Sequence, residues 1–235
     1  MTALGRFSER YEQLCRAVVL IFVVQVAMIV FTVRGLVVVG FFPAVGAALA
    51  TYRTWLLDDD RSWTAKRAWE TFGAAWRADV RQANLLGWPL AAVWVLLLLD
   101  YAVVQLNDPS SAGVVVSGIL LVAMVVGVLV TVYLWVLRAN FDEGSIWLLR
   151  TAILMVIARP VCNVMMAATF GLVGWLWWSA PGVLVVFGPA VPLFLACVVT
   201  YSFGRVTGMD IRESEPLDGR VPSMAGTTMQ HRPRH

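Results

Sequence analysis

The sequence predicts an all-α fold, a polytopic helical membrane protein with about six transmembrane helices, and three observations support this prediction. Hydrophobic residues make up 60% of the 235 residues and charged residues only 14%, with a mean hydropathy of +0.76. Soluble domains are about 45–50% apolar and about 25% charged, so a soluble fold of this size could not bury this composition. Apolar runs of the length that crosses the roughly 30 Å hydrocarbon core recur along the chain. Cationic residues gather between alternate runs.

A single helical membrane domain is predicted over residues 1–207, followed by a polar segment. The predicted spans cover about 17–33, 36–57, 83–105, 113–137, 160–178 and 183–203. Pro189 and Pro192 should kink or open the sixth span, because proline removes a backbone hydrogen bond and clashes with the preceding turn. Residues 208–235 have no hydrophobic period, which predicts a disordered cytoplasmic tail.

The first two spans form an unusually tight hairpin around Arg34-Gly35. Gly40 and Pro43 interrupt the second span near its start. The sequence leaves open whether this hairpin crosses the bilayer fully or is partly re-entrant.

An amphipathic helix is predicted over about 61–81, beginning after the acidic run 58–60. Acidic residues and Ser62 suit a helix start, where free N–H groups and the helix dipole favour them. One stripe of the helix is apolar, with the spacing of a single helix face; it comprises Ala65, Trp69, Phe72, Trp76 and Val80. The opposite face is basic and includes Lys66, Arg67, Arg77 and Arg81. This pattern favours a helix lying in the membrane interface. The alternative is a helix packed on a partner or on the chain's own spans.

Two interpretations fit the apolar stretch that contains Arg150 and Arg159. One long span from Ile146 would bury Arg159 near mid-bilayer, at a cost of about 2.5–3.5 kcal/mol on an insertion scale. The favoured interpretation is a second interfacial helix at about 145–158, with Pro160 opening the fifth span, because proline is well tolerated in the first helical turn.

The distribution of positive charge predicts the orientation. With six spans and a cytoplasmic N-terminus, Arg34 is the one cation on the outer side, and the other 17 of the 18 Lys and Arg residues are cytoplasmic. Cytoplasmic loops are enriched in Lys and Arg. We therefore expect a multi-pass protein of the bacterial cytoplasmic (inner) membrane with both termini in the cytoplasm.

Polar residues within or beside the spans are the candidates for an intramembrane or interfacial site. They are Gln25, Asn84, Asp100, Asn140, Arg159 and Asn163. Gln25 lies near the middle of the first span, where a polar group joins helices or contacts a substrate. Asp100 lies late in the third span, as an interfacial carboxylate near Arg34 or as a proton or cation site. The others lie near inner span ends, where they line a polar site or anchor helices.

Several functional classes find no support in the sequence. The three cysteines are scattered and the two histidines lie in the tail, which argues against a disulfide framework and a zinc site. Nucleotide-binding loops, metalloprotease motifs and nucleophile elbows are absent from the sequence. We expect no enzyme activity, no cofactor and no nucleic-acid partner.

Four stretches resemble the YesL-like family of bacterial membrane proteins over about residues 15–205. They are 39–44 with the Ala-rich run to Arg53, 71–77 through 82–87, 138–142 and 158–160. The central motif is less basic here than is usual in that family. The family is a domain of unknown function whose members often accompany carbohydrate-uptake and carbohydrate-utilisation genes. The resemblance therefore implies an accessory role beside a sugar transporter.

Two hypotheses of function follow. The first is a non-enzymatic accessory protein associated with carbohydrate uptake or utilisation. Its partners would be the lipid bilayer and either transporter subunits or another copy of itself, and its docking surface would be Lys66, Arg67, Arg77 and Arg81. The second is a small permease or channel for a small solute that uses Gln25, Asp100 and the proline kinks.

Overall fold

The computed structural model describes the backbone of residues 3–58, 60–107 and 111–204, and the side chains of 11–58, 60–106 and 112–204. Eight α-helices make up the described part. They are α1 (Ala3–Arg34), α2 (Phe41–Leu57), α3 (Ala65–Asn107), α4 (Ser111–Asn140), α5 (Ser145–Ala158), α6 (Pro160–Ser179), α7 (Pro181–Phe187) and α8 (Ala190–Phe203). The all-α class is confirmed. The predicted tail, 208–235, lies outside the described residues.

Four helices among the described residues are long and apolar enough to cross a membrane. They are α1, α3, α4 and α6, and the pair α7 and α8 makes a fifth if the two count as one bent span. The second predicted span, about 36–57, corresponds to α2, whose 17 residues give a length of about 25 Å and which is not among these candidates. The prediction of a polytopic helical membrane protein is confirmed, and the length and composition of the helices support four to five spans.

α3 differs most from the expected bounds. An amphipathic helix at 61–81 and a span at 83–105 were expected, but one uninterrupted helix of 43 residues runs from Ala65 to Asn107, a length of about 64 Å. Residues 81–84 contain neither proline nor glycine, so nothing breaks the helix there. The helix starts later than the acidic residues suggest, since Thr64 supplies the N-cap oxygen that accepts from the Arg67 N–H at 3.2 Å.

The apolar stripe of α3 packs against α1. The ring of Phe31 lies 5.4–5.6 Å from the rings of Trp69, Phe72 and Trp76. Phe72 is fully buried, and Ala68 beside it is nearly so. Aromatic rings at these spacings add packing energy beyond the area that they bury. The structure therefore follows the alternative in which this face packs on the chain's own helices.

The helix bounds around Arg159 match those of the favoured interpretation, and the interfacial placement of residues 145–158 stays a prediction. α5 ends at Ala158, Arg159 is non-helical with φ and ψ of −127° and 65°, and Pro160 opens α6. The final predicted span, 183–203, is divided at Gly188-Pro189 into α7 and α8, whose axes differ by 73°. Gly188 has a φ of +26°, a conformation that side chains rarely adopt, and Pro189 cannot donate the hydrogen bond that would continue α7.

The hairpin of α1 and α2 lies along the first half of α3. Gly46 of α2 lies beside Asp79, and Phe42 packs on Gly87 so closely that a Cβ there would overlap its ring. The second half of α3 pairs with α4, where Trp94 Nε1 donates to Thr131 Oγ1 at 3.1 Å. Apolar grooves of about 480 and 740 Å³ adjoin this pair, and Trp94 and Thr131 line both. The buried core thus lies toward the first half of α3.

Candidate functional site: a polar junction of α2, α3, α4 and α8

Asn140, at the C-terminal end of α4, joins three helices through one side-chain oxygen. Arg53 Nε of α2 donates to Asn140 Oδ1 at 2.9 Å, and the hydroxyl of Tyr201 on α8 donates to the same oxygen. The Asn140 Nδ2 donates back to the Val136 carbonyl at 2.7 Å. Asn140 is only 2% exposed. A fully satisfied polar network in a buried position fixes the relative placement of the helices that it connects.

Arg138, half a turn earlier on α4, forms a second polar cluster with α3. Its Nη2 donates to Asp79 Oδ1 and to Gln82 Oε1. The Arg138 side chain is 10% exposed and that of Asp79 is 24% exposed. Arg138 Nε is buried and has no hydrogen-bond partner. Removing two charges from water can cost more than the pair regains, so an ion pair in this position is weak evidence for net stability.

A cleft of about 310 Å³ opens beside Arg138. Small side chains form much of its wall, and Asp79, Gln82, Arg138 and Asp142 add polar groups. The small residues are Gly46, Ala50, Ala75, Ala78 and Ala139. Because these residues carry little or no side chain, the helices leave a space that larger residues would fill. The cleft offers both hydrogen-bond donors and acceptors to a small polar molecule.

The six polar candidates from the sequence do not form one site. Asn140 lies in the junction. Gln25 Oε1 accepts from the Ala190 N–H at 3.3 Å, and so joins α1 to the start of α8. Asn84 Nδ2 donates to the carbonyls of Val39 at 2.9 Å and Val80 at 2.7 Å. These contacts give Gln25 and Asn84 the role of joining helices.

The remaining three candidates lie apart from the junction. Asn163 Oδ1 accepts from the Tyr133 hydroxyl at 2.8 Å, and its Nδ2 donates to the Val156 carbonyl. Arg159 Nη1 reaches the Phe203 carbonyl at 3.5 Å. Asp100 is exposed in the second half of α3. The expected proximity of Asp100 to Arg34 is wrong, because Gly35 lies against Trp76, and Asp100 is 24 residues or about 36 Å further along α3.

The four basic residues proposed as a docking surface separate into two pairs. Arg67 is engaged within the chain: its Nη2 contacts Asp58 Oδ2 at 2.7 Å and its guanidinium lies over the Trp63 ring at 4.4 Å. Lys66 lies 3.8 Å from Glu70. Arg77 and Arg81 are exposed further along the same helix. Arg77 and Arg81 are therefore the part of this surface that makes fewer contacts within the described residues.

Sequence reasoning missed five members of the junction, although one signal could have found them. The missed residues are Arg53, Asp79, Gln82, Arg138 and Tyr201. Arg53, Gln82 and Arg138 belong to the stretches that resemble the YesL-like family, as do Asn140 and Asp142. Polar residues from two of these stretches thus line the cleft, and Arg53 from a third stretch contacts Asn140. Asp79 lies between two parts of a motif, and Tyr201 carries no distinguishing pattern.

The helices and the polar junction define a polytopic α-helical membrane protein with a small polar cleft between α2, α3 and α4. A family model described as "Protein of unknown function, DUF624" matches residues 21–101. The chain is 28% identical over 222 residues to "Uncharacterized protein YesL" of Bacillus subtilis (strain 168), covering 92% of this chain and 98% of that protein. It is 25% identical over 180 residues to "Uncharacterized protein YteU" of the same organism, covering 75% of this chain and 73% of that protein. No solved structure matches significantly. These matches confirm the resemblance to the YesL-like family of unknown function.

Proposed function

We propose that this protein is a non-enzymatic accessory protein of the bacterial cytoplasmic membrane, associated with carbohydrate uptake or utilisation. The membrane class rests on the apolar helices. The link to carbohydrate rests on the resemblance to the YesL-like family, whose members often accompany such genes. The accessory role is a docking role, in which an exposed basic face of α3 contacts a transporter subunit.

The observation that carries this proposal is that α3 has one face buried against α1 and another face exposed. Its apolar stripe is covered by α1, through Phe31 against Phe72 and Trp76. Arg77 and Arg81 project from the same helix and are exposed. Exposed arginines are enriched in protein interfaces, where the planar guanidinium binds carboxylates through two hydrogen bonds. A partner with an acidic surface near the membrane fits this face.

The proposed orientation places both termini in the cytoplasm. The first hairpin returns to the side on which it began, whether it crosses or not. The positively charged segments then lie on the inner side, which is the distribution that cytoplasmic loops show. α3, α4, α6 and the α7–α8 pair cross an even number of times, so the C-terminal segment returns to the cytoplasm.

Co-purification tests the docking role. Tagged protein is isolated in mild detergent from its native cells, and any co-purifying subunits of carbohydrate transporters are identified by mass spectrometry. The variant Arg77→Gln/Arg81→Gln is compared with the matched variant Lys66→Gln/Arg67→Gln. We expect the first variant to reduce recovery of the subunits about tenfold, which corresponds to about 1.4 kcal/mol. The control should recover them as the wild type does. Undiminished recovery with the Arg77/Arg81 variant would exclude this surface, and absence of any subunit with the wild type would exclude the docking role.

A second candidate function is a small permease for a polar solute. The cleft of about 310 Å³ beside Arg138 favours it, together with the break between α7 and α8. Broken helices and polar pockets commonly form the solute sites of transporters. Purified protein in liposomes would be assayed for flux of sugars and ions. Flux no greater than that of empty liposomes for every solute would remove this candidate.

A further inference from the structure

The turn between α1 and α2 lies beside the middle of α3. Gly35 approaches the Trp76 ring, and Trp76 Nε1 donates to the Gly40 carbonyl at 3.4 Å. Asn84 Nδ2 donates to the Val39 carbonyl at 2.9 Å. These contacts come from two positions on α3 and one loop, so they fix where along α3 the hairpin ends.

α3 continues far beyond this turn. Its last residue, Asn107, is 23 positions beyond Asn84, or about 34 Å along the helix. Transmembrane helices tilt by up to about 40°, and at that tilt the segment still covers about 26 Å of depth. The hydrocarbon core is about 30 Å thick. If α3 reaches one face of the bilayer at Asn107, the hairpin turn lies close to the opposite face.

The surface of the turn is suited to lipid. Leu36 is 83% exposed, and the three valines that follow it, 37–39, are all about half exposed. Residues 35–52 carry no charged side chain. On α1, Val26, Ile29 and Val33 continue the exposed apolar surface. Apolar side chains so exposed on adjoining segments indicate a contact with membrane or another protein, and here they adjoin candidate spans.

Arginines surround the apolar turn. Arg34 precedes it, and Arg77 and Arg81 flank its position on α3; all three are exposed. Arginine side chains extend along apolar surface and place the charged head in the headgroup layer. Three exposed arginines beside the turn indicate that the turn lies near the headgroups of one leaflet.

The backbone of the turn has an unusual conformation that points apolar side chains outward. Leu36 and Val37 have φ values of +56° and +62°. This conformation is costly for non-glycine residues and especially for β-branched valine. The turn is also tight: a Cβ on Gly35 would overlap the Gly40 Cα, and a Cβ on Gly40 would lie 2.5 Å from the Thr32 carbonyl oxygen. The tight turn displays two large apolar side chains outward.

We propose that the α1–α2 hairpin is re-entrant: it enters the bilayer from the face on which α3 begins, places residues 36–39 among the acyl chains of that leaflet, and returns without reaching the opposite surface. Arg34 binds lipid phosphates at this level, and Arg77 and Arg81 of α3 lie beside it. Four helical segments then cross the bilayer, namely α3, α4, α6 and the α7–α8 pair.

Sided cysteine labelling tests the proposal in the full chain. In a background with Cys15, Cys162 and Cys197 replaced by serine, single cysteines are placed at Arg34, Thr64 and Ser179. Right-side-out and inverted vesicles receive a membrane-impermeant maleimide, and the tagged protein is recovered. Thr64 precedes α3 and Ser179 ends α6, so these two positions mark the opposite faces. The comparison is relative and does not depend on which face is cytoplasmic.

The re-entrant hairpin predicts that Arg34→Cys reacts from the Thr64 side, or reacts from neither side until detergent is added. A hairpin that crosses fully places this residue in water on the Ser179 side, so reaction from that side overturns the proposal. Val115→Cys, near the far end of the α3–α4 pair, is the matched control and should not react from the Thr64 side. Size-exclusion profiles in detergent confirm that each variant is folded.

Discussion

The side-chain oxygen of Gln25 accepts a hydrogen bond from the backbone N–H of Ala190, which joins the middle of α1 to the first residue of α8. The carbonyl of the same Ala190 accepts from the Tyr52 hydroxyl at 3.1 Å. Ala190 follows the break at Gly188-Pro189, where helical hydrogen bonds are interrupted. Backbone groups without partners are costly in lipid, so side chains from α1 and α2 satisfy the broken span.

Gly188 is the first position where this arrangement can be tested. A Cβ there would lie 2.5 Å from Gln25 Nε2, and its φ of +26° is unfavourable for alanine. We expect Gly188→Ala to lower the free energy of unfolding by about 1–3 kcal/mol. Thermal unfolding in detergent measures the change. Gly174→Ala, where nothing lies within 4 Å of the added Cβ, is the control and should change stability little. Equal losses in both variants would contradict the packing described.

The ion pair between Arg138 and Asp79 gives a second prediction. Arg138→Gln leaves a carboxylate that is only 24% exposed without its cation. Because fully buried pairs cost about 3–5 kcal/mol when broken, we expect a loss of about 2–4 kcal/mol for this partly exposed one. Asp79→Asn/Arg138→Gln should recover part of the loss, because no unpaired charge remains.

The double variant separates charge from packing in thermal unfolding experiments. Arg150→Gln is the matched control, since Arg150 is exposed on α5 and a surface change there should stay within about 0.5 kcal/mol. If the double variant were less stable than Arg138→Gln alone, the ion pair would not be the source of the loss.

Asn140 gives a third prediction, because one amide serves two donors. Asn140→Ala removes the acceptor of both Arg53 and Tyr201 and should cost about 2–3 kcal/mol, whereas Tyr201→Phe removes one donor and should cost about 0.5–1.5 kcal/mol. The two unfolding midpoints, measured under the same conditions, provide the comparison. A larger loss for Tyr201→Phe would show that Asn140 is not the centre of this network.

The orientation gives a fourth prediction. A single cysteine at Ser179 should react with an impermeant maleimide in intact cells, and one at Thr64 should react in inverted vesicles alone, because positively charged segments face the cytoplasm. Both positions are exposed. Reaction at Thr64 in intact cells would reverse the orientation. The test of the re-entrant hairpin would be unaffected, because it asks only whether Arg34→Cys is labelled from the same side as Thr64 or from the same side as Ser179.

The sequence by itself determined the membrane class and several helix ends. Apolar runs identify segments that favour lipid, because transfer free energy depends mainly on composition. Arg159-Pro160 marks the start of α6, and Pro189 the break before α8, because the covalent structure of proline acts locally. Four short stretches of the sequence also predicted a resemblance to the YesL-like family.

The tertiary structure alone decided how deep the helices reach and which polar groups meet. Hydropathy predicts that α1 and α2 are apolar, but it cannot show that their turn lies beside Asn84 at the middle of α3. Asp79 and Arg138 are 59 residues apart along the chain, and only helix packing brings them to one cleft. The physical reason is that transfer into lipid is non-directional, whereas the level and partner of each side chain are set by contacts between helices.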